Sequence, residues 1–229
     1  MTIIIAELGS NPVDYGWDTG RFCEAAAQAG ATHVKIQVYK AEHFPAPYQD
    51  EKRRLEFPRN RIGEFADNAH RYGLQAGASV FDEAAVEICA RELDFLKLAA
   101  REQKNALLIG NVEKTGKCIY RSISKHDERL EAHDAPFVHL WAIQDYPAST
   151  VKSLITLLKA HNYFYRQGLS EWGWSSHTTG TLDCILAARL GASVIEKHFA
   201  LSNTDIEGGH SLLPEKFAEM VRGIRKVEK

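Results

Sequence analysis

His177 and His198 close two neighbouring apolar segments, "WGWSSH" and "SVIEKH". If both segments are strands of one sheet, they lie about 5 Å apart. Two imidazoles at that spacing reach one divalent cation. With carboxylate or water oxygens they suit Mn2+, Mg2+, Fe2+ or Zn2+ without choosing among them. A single histidine in such a place is more simply a hydrogen-bonded rim or core residue; the pair is what raises metal ligation. Lys35 in "HVKIQV" and Lys97 in "FLKLAA" pose a similar question. Burying an unpaired ammonium is costly, so each must face an anion. That anion is a bound ligand or a carboxylate such as Glu7 or Glu196. A strand lysine also suits Schiff-base chemistry, as in class I aldolase barrels. Ser122 and Ser175 add hydroxyl donors for the same anion.

Such groups need a scaffold that delivers them to one place. Short apolar runs at 2–8, 32–39, 74–81, 94–100, 117–124, 137–144, around "GWSS" and at "SVIEKHFAL" read as strands. Between them lie amphipathic patterns that read as helices over 17–30, 60–73, 82–93, 104–116, 149–162 and 180–191, with a last one opened by Pro214 at its first position. Asp82 is the natural N-cap of the 82–93 helix. The segment "KHDERLEAHDAP", 125–136, is too polar and short for a full helix. Eight strand–helix units imply a parallel sheet closed as a (β/α)8 TIM barrel, with a degraded helix after strand five. An open doubly wound sheet is the rival, but no glycine-rich dinucleotide loop follows a strand. In such barrels the reactive groups sit at the C-terminal ends of the strands. There the chain places Glu7, Lys35, Gln37, Lys97, Glu102, Ser122, Ser124, Gln144, Asp145, Tyr146, Ser175, Ser176, His177, Glu196 and His198. Trp141 and Trp174, also near strand ends, are expected to wall the substrate pocket.

The 229 residues are 45% hydrophobic and 25% charged, with a formal net charge of −2. That is the composition of a soluble globular domain, read here as one domain over 1–229. No basic stripe with interleaved aromatics points to nucleic acid. The apolar start "MTIIIAELG" is too short for a signal or a membrane span. A cytoplasmic enzyme is the expectation. Cys23, Cys89, Cys118 and Cys184 form no C-x-x-C pair and read as buried reduced thiols.

Several segments together resemble the sialic acid synthase family: "IAELGSN", "GATHVKIQVYK", "FLKLAAREQKNALL", the "YP" after strand six, "GWSSHTTG" and "GASVIEKHF". The family patterns run as IAEIGxNH, GAdaVKFQ, YKIASxExxN, GYSDHT and GAxxIEKHF. The resemblance implies a TIM barrel that condenses phosphoenolpyruvate with the open aldehyde of an N-acetylmannosamine-like aldose. It implies Mn2+ or Mg2+ held by His177 and His198, and phosphoenolpyruvate held by Lys35, Lys97, Ser122, Gln144 and Ser175, with Tyr146 beside the substrates. Glu7, Glu102 and Glu196 match acidic positions that handle water, protons or sugar hydroxyls. A homodimer is implied only by the family. The departures are Asn11-Pro12 for Asn-His, Ala100 for the KIAS serine, Ser176 for the Asp of GYSDHT, "SISKH" after strand five, and "EGGHSLLP", in which no Asp precedes His210. The expectation is a member lacking the C-terminal antifreeze-like domain that in the family reaches a partner's active site. The expectation is a divergent synthase with an altered sugar side. The alternatives are a Schiff-base aldolase using Lys35 or Lys97, and a catalytically impaired metabolite-binding barrel.

Overall fold

In a computed structural model, which describes residues 1–124 and 137–228, the apolar runs pair in chain order into a closed, all-parallel barrel. Its strands are β1 (Ile3–Gly9), β2 (His33–Val38), β3 (Gln75–Val80), β4 (Phe95–Leu98), β5 (Cys118–Ile123), β6 (Phe137–Ala142), β7 (Trp172–Ser176) and β8 (Val194–His198). Outside them lie α1 (Thr19–Gln28), α2 (Ala46–Arg54), α3 (Ile62–Arg71), α4 (Glu83–Glu92), α5 (Ala106–Glu113), α6 (Thr150–Arg166), α7 (Leu182–Arg189) and α8 (Pro214–Val227). The TIM-barrel expectation holds. The degraded helix expected over 125–136 falls outside the described residues. No helix among the described residues is long and apolar enough to cross a membrane.

Strand side chains alternate between the two faces of a sheet. One face packs on the helices and merges with the main apolar core. The other points into the barrel, where Ile5, Phe95, Tyr120, Leu140 and Val194 pack as an apolar floor. Gly77 belongs to this layer because a Cβ there would run into the Phe95 ring. Two residues further along the same strands come Glu7, Lys97, Ser122, Ala142 and Glu196. The register puts Lys35 beside Glu7, Ser79 beside Lys97, and Ser175 beside Glu196. A polar layer therefore lies directly on an apolar one.

Three expectations need correction, and one helix was not expected. Trp141 and Trp174 are in register with each other and face outward, not into a sugar pocket. Trp141 packs against Tyr163 and Phe164 of α6, and Trp174 Nε1 donates to Asp183 Oδ2 (2.9 Å). Their neighbours Leu140, Ala142, Gly173 and Ser175 occupy the inward positions, so alternation sends the indoles out. Helix α6 runs on past 162 to Arg166, because Tyr163 and Phe164 continue its buried stripe. Cys118 is exposed rather than buried, standing at the first residue of β5. Helix α2 was not legible: "APYQDEKRR" buries none of its residues, so it carries no apolar period.

His33 sits at the floor, its ring 5.3 Å from Phe95 and 6.5 Å from Tyr120. Burial lowers its pKa to about 4, with Asp94 opposing. The unfolded chain binds this proton from about pH 6.5 downward, the native fold only near pH 4, so stability is lost as pH falls across that window. Thermal melts from pH 7 to pH 4 should show a falling midpoint. In His33→Gln part of that fall should disappear; an identical pH dependence would count against this assignment.

Candidate active site

The polar layer above the floor is built from opposite charges. Lys35 Nζ pairs with Glu7 and donates to Ser79 Oγ (2.7 Å); Glu196 Oε2 stands 3.8 Å away. Lys97 Nζ pairs with Glu196 Oε1, which also accepts from Ser175 Oγ (2.8 Å). All six side chains are buried. Burial pulls the Lys35 ammonium well below the usual lysine range, against the pull of Glu196. Burial alone would raise the Glu196 carboxyl, but Lys35 and Lys97 outweigh it and hold it ionised. Two polar atoms of this layer have no hydrogen-bond partner among the described residues, Ser122 Oγ and Glu196 Oε2. Buried polar atoms are normally satisfied. These two line a cavity of about 920 Å3, counting its open mouth, and a ligand there would complete them.

His177 and His198 stand on the same cavity wall, both buried, with ring centroids 5.4 Å apart. His177 Nδ1 meets the Ile143 carbonyl. A carbonyl only accepts, so Nδ1 carries the proton and Nε2 keeps its lone pair. Burial, with His198 adding to it, lowers the His177 pKa to about 3, so the ring is a neutral ligand. His198 Nδ1 lies 2.9 Å from Glu207 Oε2, and the same logic leaves its Nε2 free. This is the carboxylate–histidine arrangement that fixes metal-ligating imidazoles in other proteins. The donor set fits a divalent cation: two Nε2 lone pairs, both rings oriented by their far nitrogens.

Glu207 was not singled out from the sequence. It is brought down to about 2: burial opposes the shift, and the hydrogen bond and charge of His198 outweigh it. Its Oε1 accepts from the Ser10 amide (2.9 Å), and its own amide donates to Asn11 Oδ1 (2.8 Å). Gly9 makes room for it: φ is +55°, and a Cβ there would collide with the Glu207 carboxylate. The "GSN" after β1 thus holds the carboxylate that holds His198. His210 adds a third imidazole, its ring 4.6 Å from His198. Ligand atoms of His198, Glu207 and His210 lie within 4.8 Å of one another, a grouping that shares His198 but not His177. Burial lowers His210 to about 4, with His198 contributing. The "EGGH" segment, which lacks the family Asp, still supplies a carboxylate three residues earlier.

Between Glu196 and His198, Lys197 points the other way, out of the barrel, and is fully buried. It donates to Ser176 Oγ (2.8 Å), Thr178 Oγ1 (3.1 Å) and the Thr178 carbonyl. Asp183 accepts from Ser176 Oγ (2.7 Å) and Thr178 Oγ1 (3.0 Å). Ser176 replaces the family Asp, yet a carboxylate remains in the network through Asp183. Since Thr178 follows His177, the network anchors the loop that carries His177. Lys197→Met should cost about 3–5 kcal/mol in denaturant unfolding, as breaking a buried charged network does. A variant as stable as the parent would dismiss this anchoring role.

Of the remaining sequence-derived residues, Gln144 and Tyr146 line the cavity at its exposed rim. The Tyr146 ring lies 4.1 Å from that of His177. Glu102 does not line the cavity. It accepts from Arg101 Nε and Asn105 Nδ2 (3.0 Å each), and so bears on the site only through Arg101.

Known proteins resemble this chain over nearly its whole length. The N-acetylneuraminate-9-phosphate synthase of Mus musculus is 26% identical over 99% of this chain and 70% of its own length. The pseudaminic acid synthase of Campylobacter jejuni subsp. jejuni serotype O:2 is 26% identical over 98% of this chain and 73% of its own. The crystal structure of N-acetylneuraminic acid (sialic acid) synthetase from Leptospira borgpetersenii serovar Hardjo-bovis, in complex with citrate, superposes with a TM-score of 0.84. It is 23% identical, covers 99% of this chain and 84% of its own, and shows the same fold. The NeuB family profile matches residues 22–229, nearly the whole chain, and the protein therefore belongs to the NeuB family of sialic acid synthase-like enzymes.

Proposed function

We propose that this enzyme condenses phosphoenolpyruvate with the open-chain aldehyde of an N-acetylmannosamine-like aldose, using Mn2+ or Mg2+, to give a nonulosonic (sialic-type) acid and phosphate. One observation carries the reading: two buried ammonium groups and two imidazoles with engaged Nδ1 protons meet in one cavity. The relatives named as pseudaminic acid and N-acetylneuraminate-9-phosphate synthases support the reaction class.

Lys35 and Lys97 face the anionic groups of phosphoenolpyruvate, with hydroxyl donors from Ser122 and Ser175 and Gln144 at the rim. The bare Ser122 Oγ is one donor that the ligand would satisfy. His177 and His198 would hold a divalent cation, which would supply Lewis acidity toward the aldehyde oxygen. The methylene carbon of phosphoenolpyruvate forms the new bond to the aldehyde carbon, and the aldehyde oxygen takes a proton. Water adds at the pyruvyl carbon, its proton passing to a carboxylate, Glu196 or Glu7. The carbon–oxygen bond to phosphate breaks and phosphate leaves. One phosphoenolpyruvate, one aldose and one water are consumed for each acid and phosphate formed. Tyr146, over His177, closes the rim beside the aldehyde.

The test is phosphate release with Mn2+, phosphoenolpyruvate and a panel of aldoses. Release that requires both the metal and an aldose is expected; none with any aldose leaves a non-catalytic metabolite-binding barrel. The lowered Lys35 pKa is also what a Schiff-base lysine needs. Borohydride should trap no covalent adduct with substrate; an adduct would favour the aldolase instead.

A further inference from the structure

Beyond β8 a second cluster of cation ligands adjoins the imidazole pair. His198, Glu207 and His210 each offer a ligand atom, all within 4.8 Å of one another, and His177 takes no part in this grouping. Glu207 Oε2 lies 2.9 Å from His198 Nδ1 and 3.9 Å from His210 Nε2. In a tetrahedral zinc site, with bonds of about 2.0–2.1 Å, neighbouring ligands stand about 3.4 Å apart. The two gaps straddle that spacing, so small side-chain turns complete the set. The backbone holds these ligands in place. Gly208–His210 is one turn of 3-10 helix, a winding in which residues three apart eclipse, and it returns His210 to the side of Glu207. Ser211 Oγ donates to the Glu207 carbonyl (2.7 Å). Gly208 lies against the Asn203 backbone, where a Cβ would collide. The far oxygen of the Glu207 carboxylate is tied to the Ser10 amide.

We infer that His198, Glu207 and His210 form a zinc-selective site, separate from the one that His177 and His198 share and mutually exclusive with it. Two imidazoles and one carboxylate, with the fourth position left to water, are a set that zinc takes readily. Mn2+ and Mg2+ favour oxygen ligands, and a nitrogen-rich set binds them less tightly. The exclusion follows from His198. A neutral imidazole has one lone pair. With the proton on Nδ1, against Glu207, the lone pair is on Nε2 and serves the ion beside His177. Zinc placed between Nδ1 and Glu207 shifts the proton to Nε2. No net proton is released, and the ring then offers no lone pair on the His177 side. The zinc site itself does not depend on the condensation; only its consequence, withdrawal of a ligand from the catalytic ion, rests on that reading.

The test uses the full chain after treatment with a chelator. Calorimetry with zinc chloride should give one ion per chain. Zinc should also drive bound Mn2+ into solution, read as the return of the free Mn2+ signal in electron paramagnetic resonance. His210→Ala should weaken zinc binding about 100-fold, the loss of one ligand in four, and leave Mn2+ affinity unchanged. His210→Gln keeps the bulk of the side chain and should give the same result, with thermal melts checking the fold of both. His177→Ala should do the reverse, losing Mn2+ while keeping zinc. Co2+ in the place of zinc should show the strong visible absorption of a four-coordinate site in the parent and in His177→Ala, and lose it in His210→Ala. Parent-like zinc affinity in both His210 variants, or loss of both ions together in His177→Ala, would overturn the site. Simultaneous binding of zinc and Mn2+ would overturn the exclusion. Mn2+ bound nowhere, with zinc still lost in His210→Ala, would sink the metal reading of the condensation and leave the zinc site standing.

Discussion

His198→Ala should abolish both Mn2+ binding and phosphate release while leaving the barrel folded. The ring supplies one of the two Nε2 lone pairs, and its removal leaves Glu207 without its imidazole partner while the Ser10 amide still holds the other oxygen. His177 remains, but one imidazole does not retain a divalent ion at micromolar concentration. Glu207→Gln is the subtler companion. Its amide still fits beside Gly9, yet it no longer fixes the His198 ring through a charged acceptor. Loss of such an outer partner typically weakens metal affinity about 10- to 100-fold. Calorimetry with Mn2+ reads both effects without relying on turnover, and circular dichroism checks the fold. Parent-like Mn2+ affinity in His198→Ala would end the metal assignment.

Lys97→Ala should raise the dissociation constant for phosphoenolpyruvate about 10- to 100-fold, the worth of one charge-assisted hydrogen bond at 1.5–3 kcal/mol. The complication is structural. Lys97 is the close partner of Glu196, so its removal leaves a buried carboxylate with only Lys35, 3.8 Å away. Stability falls for that reason alone. The double variant Lys97→Ala with Glu196→Gln separates the effects. It should regain much of the lost stability, because no unpaired buried charge remains, but not the affinity for phosphoenolpyruvate. If affinity returned together with stability, Lys97 would be a structural ion-pair partner and nothing more.

The barrel and its polar layer were legible in the chain because both follow from local periodicity. A strand side chain's direction repeats every two residues. Once β4 and β8 are recognised, Phe95 and Val194 fall in one layer and Lys97 and Glu196 in the next. The histidines were legible for the same reason, as the residues at which two neighbouring strands end. Alternation also held the answer for Trp141 and Trp174, since Ser175 cannot point inward unless Trp174 points outward. Nearness to a strand end was the wrong guide there.

Sequence alone therefore determined the closed parallel barrel, the floor, the charged layer and the imidazole pair. Tertiary structure alone decided what surrounds them. Glu207 meets His198 because the loop after β8 folds back against Gly9, Ser10 and Asn11 from the other end of the chain. Lys52 reaches the rim on a polar helix with no apolar period, and Glu102 turns away from the cavity toward Arg101 and Asn105. Periodicity is a property of neighbours along one element. The reach of a loop side chain depends on which distant backbone leaves room for it, and no spacing in the sequence encodes that.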